Sequence, residues 1–588
     1  MGDAEKLITE NLEVWASAVK AKSSAGRGSN NKRELYGMDR LRELILELAI
    51  RGLLTPQDPN DESAVKIREE IEVERARLVE DGTIKKKKAL PPISDEEKPF
   101  ELPSSWEWLR LSEVGHDWGQ KKPESDFTYI DVSSINKERG IVFDPKVLTE
   151  DEAPSRARKL VKEGTVIYST VRPYLLNIAV VAKSFDPLPI ASTAFAIVHP
   201  FQGILASYIY RYLRSPTFIS YVGSCQTGIA YPAINDKQFF SGVLPVPPLA
   251  EQHRIVAKVD ELMALCDQLE QEQTRSLDTH DTLVATLLGA LTTATADAGQ
   301  FAEAWQHIQA NFDILFTTES SIDQLKQTIL QLAVMGKLVG QNPEDESADE
   351  ALEILKTKQT IMFAEEGLRK RKPVVAPTRD EWPHELPRGW AFPCFESVSV
   401  IVSGVTKGRK LAGRKTIHLP YLRVANVQRH HLDLDIIKEI EVLEDDLERY
   451  RLESGDVLMT EGGDWDKVGR AAVWQNELQN CIHQNHVYRV RVADQEILAP
   501  GWVVLFANSP SGRRYFEGAS KQTTNLASIN MTQLRGCPLP LPPAAEQHRI
   551  VAKVDELMTL CDQLKASLAT AQATQLNLAD SLVEQAIG

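Results

Sequence analysis

The feature that most constrains this chain of 588 residues is an internal repeat. Residues 251–269 read EQHRIVAKVDELMALCDQL and residues 546–564 read EQHRIVAKVDELMTLCDQL, which differ at one position. Each copy follows a proline-rich lead, LPVPPLA or LPLPPAA, and the copies lie 295 residues apart. A long repeat of this kind indicates two copies of one structural unit. The fold must therefore be explained for two halves at once.

A second repeat precedes each copy of the first, at a spacing of 284 residues. Residues 39–64 read DRLRELILELAIRGLLTPQDPNDESA, and residues 323–348 read DQLKQTILQLAVMGKLVGQNPEDESA. The motif ELP-x-x-W, which ends at Trp106 and at Trp390, keeps this spacing. The stretch between each tryptophan and the next proline-rich lead differs between the halves. The chain is thus a repeated frame that carries two different variable blocks.

The repeated EQHRIVAKVDEL segments are predicted to be long helices that bury one stripe against a partner helix. Proline pairs end just before them, and their apolar residues recur at alternating spacings of four and three. The partner is either the other copy or a helix of another subunit. The predicted coiled-coil seam consists of Ile255, Val259, Leu262, Cys266, Leu269, Ile550, Val554, Leu557, Cys561 and Leu564.

The remaining segments predict shorter helices and mixed variable blocks. Residues 39–55 and 323–339 have the pattern of amphipathic helices. The variable blocks contain short β-rich runs, such as GTVIYSTV and GDVLMT, cut by Gly and Pro, so we expect two α+β domains of one fold with different surfaces. We divide the chain into a helical arm, a first block, a central helical region, a second block and a C-terminal helix, at residues 1–105, 106–245, 246–389, 390–540 and 541–588.

The charge distribution permits nucleic-acid binding although the whole chain carries −16. Residues 106–243 carry +1 and residues 390–538 carry 0, so the rest of the chain carries −17. The two blocks are therefore free to present basic faces to phosphate. No apolar run approaches the roughly 18 residues of a membrane helix, and the N-terminus has no secretion-signal pattern. We expect a cytoplasmic protein that contacts no membrane.

DNA reading needs cations for phosphates and planar or amide side chains for base edges. Both variable blocks offer such residues in Gly-rich or Pro-rich loops. In the first block the predicted DNA-binding residues are Lys121, Lys122, Arg156, Arg158, Lys159, Ser169, Arg172, Tyr174, Tyr231, Asn235 and Lys237. In the second block they are Lys407, Arg409, Lys410, Arg423, Trp465, Lys467, Arg470, Gln484, Asn485, Arg513, Arg514, Lys521 and Asn525.

Catalytic and metal motifs are missing from the sequence. It contains no N/D-P-P-Y/F/W methyltransferase motif, no G-x-x-x-x-G-K-S/T phosphate loop and no nuclease-like acidic pair. Its six cysteines form no C-x-x-C pair, and His483 and His486 lack a matching carboxylate or cysteine spacing. We expect neither a catalytic residue nor a metal site in this chain.

The chain resembles the specificity subunits of type I restriction–modification systems over nearly its whole length. The resemblance lies in the two LPxPPxAEQHRIVAKVDEL segments, the ELP-x-x-W entries, and strings such as YPAINDKQF and GDVLMTEGGDWDKVGR. It implies an α+β fold with two α/β target-recognition domains, each reading one half of a gapped DNA site. It also implies two long helical conserved regions that form an antiparallel coiled coil. The whole chain would have a pseudo-twofold internal repeat.

The resemblance further implies the partners. These are double-stranded DNA, two modification (methyltransferase) subunits, and restriction subunits that translocate DNA. The chain itself would hold no cofactor; S-adenosylmethionine, ATP and Mg²⁺ would belong to the partners, and the complex would direct adenine methylation or restriction. Two alternatives stay open at this point: a coiled-coil scaffold without a DNA role, and a DNA-processing enzyme with an unrecognised site.

Overall fold

The chain divides into two compact units in the computed structural model. The first unit comprises Met1–Ser276 with Thr570–Gly588, and the second comprises Leu277–Ala569. The boundaries fall inside both long helices, so each unit is built from the first part of one long helix and the last part of the other. The structure describes residues 3–21, 33–86, 90–228, 231–293, 298–369, 371–379, 382, 385–408, 411, 413–463, 467–522 and 527–587.

The first unit contains the first variable block and its helices. Its helices are α1 (Asp3–Thr9), α2 (Leu12–Ser17), α3 (Tyr36–Ile50), α4 (Ala64–Glu80), α5 (Leu111–Val114), α6 (Ala206–Leu213), α7 (Pro216–Cys225), α8 (Asp236–Ser241) and the first part of α9 (Leu249–Thr293). Its strands are β1 (Lys20–Ala21), β2 (Arg33–Glu34), β3 (Glu107–Arg110), β4 (Gly115–His116), β5 (Phe127–Ile130), β6 (Ile135–Asn136), β7 (Ile141–Val142), β8 (Lys146–Leu148), β9 (Ala157–Leu160), β10 (Val166–Ser169), β11 (Ile178–Val180), β12 (Pro189–Ser192), β13 (Phe195–Pro200) and β14 (Val243–Val246).

The second unit contains the second variable block. Its helices are α10 (Ala298–Ala310), α11 (Phe312–Leu315), α12 (Glu319–Val334), α13 (Ala348–Glu365), α14 (Phe395–Val398), α15 (Glu444–Tyr450), α16 (Pro500–Asn508), α17 (Pro510–Ala519), α18 (Met531–Arg535) and the first part of α19 (Ala544–Ile587). Its strands are β15 (Ser399–Ser403), β16 (Thr416–Leu422), β17 (Lys438–Leu443), β18 (Val457–Thr460), β19 (Gly462–Gly463), β20 (Ala471–Val473), β21 (Ile482–His483), β22 (Val487–Val492), β23 (Lys521–Gln522) and β24 (Ala527–Ser528).

The two variable blocks share a fold, as the sequence predicted. In the first block the sheet order is β4-β13-β10-β11-β7-β6, and β10 pairs antiparallel with both β13 and β11. In the second block the order is β15-β22-β18-β20, and β18 pairs antiparallel with both β22 and β20. Short helices follow the sheet in each case, α6 to α8 and α16 to α18. The β-rich runs read from sequence thus form the centre of an α+β domain.

The repeated DESA motif begins the second helix of each arm. The hydroxyl of Ser63 accepts a hydrogen bond from the backbone N–H of Val65, and α4 starts at Ala64. The hydroxyl of Ser347 accepts one from the N–H of Asp349, and α13 starts at Ala348. A serine cap satisfies an N–H that the helix itself leaves without a partner. The helix start is therefore written into the repeat.

Helix α3 runs parallel to the last part of α19 in the first unit. Arg40 Nε donates to Asp580 at 2.8 Å. At the C-terminal end of both helices, Arg51 Nη1 donates to the carbonyl oxygen of Ile587 at 3.1 Å. Residue numbers therefore rise in the same direction along both helices.

Helix α3 runs opposite to the first part of α9. Arg42 Nη2 lies 2.8 Å from Asp267, whereas Gln57, which follows α3, donates to Glu251 at 2.5 Å. Since α3 is parallel to α19 and opposite to α9, the two long helices are antiparallel within this unit. Their apolar residues share one core: Ile255, Val259, Leu262 and Cys266 with Ala579, Leu582 and Val583, and with Leu269 partly buried against them.

The second unit repeats this core with the roles of the long helices exchanged. Here α12 takes the place of α3, and Lys565 Nζ lies 3.0 Å from Asp323. The core contains Ile550, Val554 and Cys561 of α19 with Val284, Leu288 and Leu291 of α9, and Leu557 and Leu564 pack against it partly buried. Each EQHRIVAKVDEL segment thus shares a core with the far end of the other long helix. The predicted partner, the other copy or a helix of another subunit, is therefore wrong, because each copy lies at the start of its own helix and meets the end of the other one.

A third repeated element was not recognised in the sequence. After α1, Asn11 Nδ2 donates to the carbonyl oxygen of Leu7 at 2.8 Å, and Ile8 is buried. After α10, Asn311 Nδ2 donates to the carbonyl oxygen of His307 at 2.8 Å, and Ile308 is buried. The frame repeat therefore begins with α1 and α2, whose counterparts are α10 and α11.

A buried glutamate joins three parts of the first unit. Glu251, near the start of α9, accepts hydrogen bonds from Trp106 Nε1 at 2.8 Å and from Gln57 Nε2 at 2.5 Å. Trp106 opens the variable block, and Gln57 follows α3. Burial raises the pKa of Glu251, and the two hydrogen bonds oppose that rise. In the second unit Glu546 accepts from Trp390 at 2.9 Å and from Gln341 at 2.6 Å.

The next residues of the EQHR motif complete this junction, which we call the EQ clamp (Glu251-Gln252 and Glu546-Gln547). Gln252 Oε1 accepts from the N–H of Leu205, and its Nε2 donates to the carbonyl oxygen of Gly203, both at 2.9 Å. Gln547 makes the matching bonds to Ala499 at 2.9 Å and to Ile497 at 3.0 Å. The glutamate and glutamine that both copies of the repeat share thus make the same hydrogen bonds in both units.

Replacing Trp106 by Phe should weaken the EQ clamp. The substitution removes one of the two donors to the buried carboxylate of Glu251, so we expect the free energy of unfolding to fall by about 1–3 kcal/mol. Urea denaturation of the full chain, followed by circular dichroism, measures the change. The matched control is Trp305→Phe, whose indole is 41% exposed and should change stability by less than about 0.5 kcal/mol. Equal losses in both variants would contradict the role of the clamp.

Candidate nucleic-acid interface

Two of the predicted DNA-binding loops of the first block lie against each other. The loop of residues 169–174 leaves the end of β10, and residues 226–228 and 231–235 lie between α7 and α8. Arg172 N–H donates to the carbonyl oxygen of Pro232 at 2.8 Å, and Ile234 N–H donates to that of Thr170 at 3.0 Å. Loops about 60 residues apart in the chain therefore form one surface.

This loop surface exposes aromatic side chains beside a cation. Tyr174 is 58% exposed and Tyr231 is 69% exposed. The guanidinium of Arg172 lies 4.8 Å from the ring centroid of Tyr231, a cation–π geometry. Arg172 and Leu176 both have left-handed backbones, with φ of 49° and 53°. Non-glycine residues adopt this conformation at an energetic cost, and such residues cluster at binding sites.

The second block forms the same pair of loops from different residues. Gly462 pairs with Ser528, and Gly463 pairs with Ala527, as the short strands β19 and β24. A Cβ atom on Gly462 would lie 2.3 Å from the carbonyl oxygen of Ala527, so a side chain does not fit there. The loop after β18 is thus held to the loop before α18, as the loop after β10 is held to the loop before α8.

Backbone hydrogen bonds show that the two loop pairs have one frame. In the first block Thr170 N–H donates to the carbonyl oxygen of Ala194 at 2.8 Å. In the second block Glu461 N–H donates to that of His486 at 2.9 Å, and Ile529 N–H donates to that of Glu461 at 2.9 Å. Thr170 corresponds to Glu461 and Ala194 to His486. The frame is common to both blocks, while the side chains on it differ.

The other predicted residues of the first block divide into exposed and occupied side chains. Lys121, Lys122, Arg156 and Lys237 are exposed, and Arg158 is half-buried. Lys159 is buried, and its Nζ donates to the carbonyl oxygen of Phe195 at 2.6 Å and to Asp236 at 2.9 Å. Ser169 is also buried and donates to the carbonyl oxygen of Val171. Protein acceptors therefore already use the polar groups of Lys159 and Ser169.

Asn235 also has a structural partner. Its side chain accepts from the N–H of Gln238, and the side chain of Gln238 accepts from the N–H of Asn235, both at 2.9 Å. Asn530 and Gln533 form the same capping box in the second unit. Sequence reasoning assigned Asn235 to DNA because it missed that N-x-x-Q recurs at the spacing of 295 residues. DNA binding by these residues stays a prediction.

The predicted residues of the second block that the structure describes also differ in exposure. Lys407, Arg514 and Lys521 are exposed, whereas Arg423, Lys467, Arg470, Gln484, Asn485 and Arg513 are half-buried. Arg470 Nη1 donates to Gln428 at 2.8 Å, and Arg423 Nη2 donates to the carbonyl oxygen of Ile436 at 3.1 Å. Arg409, Lys410, Trp465 and Asn525 lie outside the described residues.

His483 is a core residue of the second block. It is fully buried, its Nδ1 lies 2.7 Å from the carbonyl oxygen of Val487, and burial lowers its pKa to about 4. Among the residues that the structure describes, no cluster of His, Cys, Asp and Glu is arranged to hold a metal ion. The described helices also include none with the length and apolar character needed to span a bilayer.

Replacing Gly462 by Ala should open the loop pair of the second block. The added Cβ must displace the carbonyl oxygen of Ala527, and overpacking of this kind costs about 1–3 kcal/mol. We expect the amides of the β19–β24 pair to exchange with deuterium about tenfold faster or more. Gly518→Ala is the control because nothing lies within 4 Å of a Cβ at that position in α17. Unchanged exchange in Gly462→Ala would show that the pairing is not constrained in this way.

Comparison with known proteins gives consistent matches. The family described as "Type I restriction modification DNA specificity domain" matches residues 387–571. The "Type I restriction enzyme EcoEI specificity subunit" of Escherichia coli is 36% identical over 597 residues, covering 99% of each chain, and the EcoAI specificity subunit of the same organism is 36% identical over 605 residues with equal coverage. The solved HsdS subunit of Thermoanaerobacter tengcongensis is 24% identical, covers 84% of this chain and 98% of its own, and has a TM-score of 0.42.

Proposed function

The chain belongs to the family of type I restriction enzyme specificity subunits, and on this premise we propose that it reads a split DNA target through its two variable blocks. Each block serves as a target-recognition domain for one half-site. The repeated helical frame carries both domains and docks two modification subunits. The complex then directs adenine methylation, or restriction where restriction subunits join it.

The observation that carries this proposal is the common loop frame with different side chains. Thr170 and Glu461 hold equivalent places in the same backbone hydrogen-bond pattern, yet one is a hydroxyl and the other a carboxylate. A scaffold without a DNA role would give no reason for a constant frame to present unlike surfaces. Two readers of two different half-sites require this combination, because base edges are distinguished by the donors and acceptors that meet them.

The proposal assigns the chemistry to the partners. S-adenosylmethionine would be bound by the modification subunits, and ATP and Mg²⁺ by the restriction subunits that move DNA. The sequence motifs for these cofactors are missing from this chain. Its own contribution is therefore recognition of the target sequence, and double-stranded DNA is the ligand.

Replacing one variable block should change one half of the target. We expect a chain in which residues 106–243 come from another specificity subunit of the family, with Trp106 kept for the EQ clamp, to give a methylated site with one new half and one unchanged half. The reason is that each loop pair is built within a single block. Methylation mapping in cells that carry the chain and its partners measures this.

The reciprocal exchange of residues 390–538 is the control and should change the other half. If either exchange altered both halves together, the two blocks would not be separate readers.

A further inference from the structure

Two side chains at the surface of the second recognition domain take no part in the backbone bonds of its loop frame. Glu461 and His486 enter the frame through their backbone N–H and carbonyl groups. In the first domain Thr170 and Ala194 form the same backbone hydrogen bond, although their side chains are only a short hydroxyl group and a methyl group. The backbone hydrogen bonds of this frame therefore do not use the carboxylate or the imidazole.

The two side chains contact each other at the surface. His486 Nδ1 lies 2.5 Å from Glu461 Oε2, and the side chains are 54% and 27% exposed. Asn485 Nδ2 lies 3.3 Å from the other ring nitrogen of His486. A surface contact of this kind contributes roughly 0–1 kcal/mol to stability even when both groups are charged. The Glu461 carboxylate also lies beside the hydroxyl of the buried Tyr488, and burial together with this carboxylate raises the pKa of that tyrosine. The place of the pair on the loop surface suits recognition.

We propose that Glu461 is a specificity-determining residue of the second recognition domain and accepts a hydrogen bond from the exocyclic amino group of a base. His486 is the positioning residue that holds the carboxylate. This inference rests on the proposed function. A carboxylate is repelled by phosphate and by the carbonyl oxygens of guanine and thymine, so an amino group of cytosine or adenine is the group it favours in the major groove.

The first domain must read its half-site by other chemistry. At the place that corresponds to Glu461, the hydroxyl of Thr170 donates to the carbonyl oxygen of Ala194 at 2.9 Å. The groups near it are the half-buried cation Arg172 and the exposed rings of Tyr174 and Tyr231. An acceptor in one domain and a stacked cation in the other favour different base edges, so the two half-sites should differ.

The test uses the full chain in complex with its modification subunits and duplexes altered in the second half-site. At each position the amino group is removed by placing purine for adenine or pyrimidin-2-one for cytosine. We expect the wild-type complex to bind about tenfold more weakly at one position, and the analogue that causes this loss identifies the base. The Glu461→Ala complex should bind the altered and unaltered duplexes equally at that position.

The matched control is Glu496→Ala, which removes an exposed carboxylate elsewhere in the same domain. Strand β22 begins next to His486 and ends at Val492, so Glu496 lies beyond its opposite end. This variant should keep the tenfold preference. A Glu461→Ala complex that keeps the preference at every position would overturn the inference. A wild-type complex that reads no split site would instead overturn the proposed function.

Replacements of His486 test its positioning role separately. His486→Gln keeps a group that donates to Glu461, and we expect it to keep most of the preference for the amino group. His486→Ala should reduce that preference while leaving affinity for duplexes without the amino group unchanged. Equal preference in the Ala variant and the wild type would show that His486 does not position the carboxylate.

Discussion

A buried carboxylate at the start of each long helix is the contact on which each unit depends. Glu251 accepts hydrogen bonds from the arm, through Gln57, and from the entrance of the variable block, through Trp106. A buried carboxylate without donors is strongly unfavourable. A shift of any of these parts would therefore leave the Glu251 carboxylate buried without one of its hydrogen-bond donors. Gln252 adds bonds to the backbone of the block itself. The helix, the arm and the variable block are thus fixed together at one point.

The second unit has the same junction, built from Glu546, Trp390 and Gln341. The junction is the same in both units although the inserted blocks differ, so support of the block and the surface that the block presents depend on different residues. The frame residues hold a domain of constant fold, and the loops at the end of the central strand are free to vary. This division accounts for near-identical helices beside unlike blocks, and under the proposed function it lets one chain carry two different readers.

Sequence patterns predicted what is periodic or repeated and missed what depends on distant pairing. The heptad spacing located the buried stripe that includes Ile255 and Ile550, because a helix converts spacing directly into a face. The partners of Glu251 were not predictable, since hydrogen bonds between distant segments leave no periodic signal. The same is true of Lys159. Its charge suits a phosphate contact, but its side chain is buried and donates to the carbonyl oxygen of Phe195. The α1 repeat was missed because few residues beyond Asn11 preserve it.

The most direct test of the account is methylation mapping of DNA from cells that carry this chain together with its modification subunits. The account predicts methylated adenines in a motif of two specified halves separated by a gap of constant length, and loss of that methylation when the chain is deleted. A single uninterrupted motif, or methylation that does not depend on the chain, would contradict it.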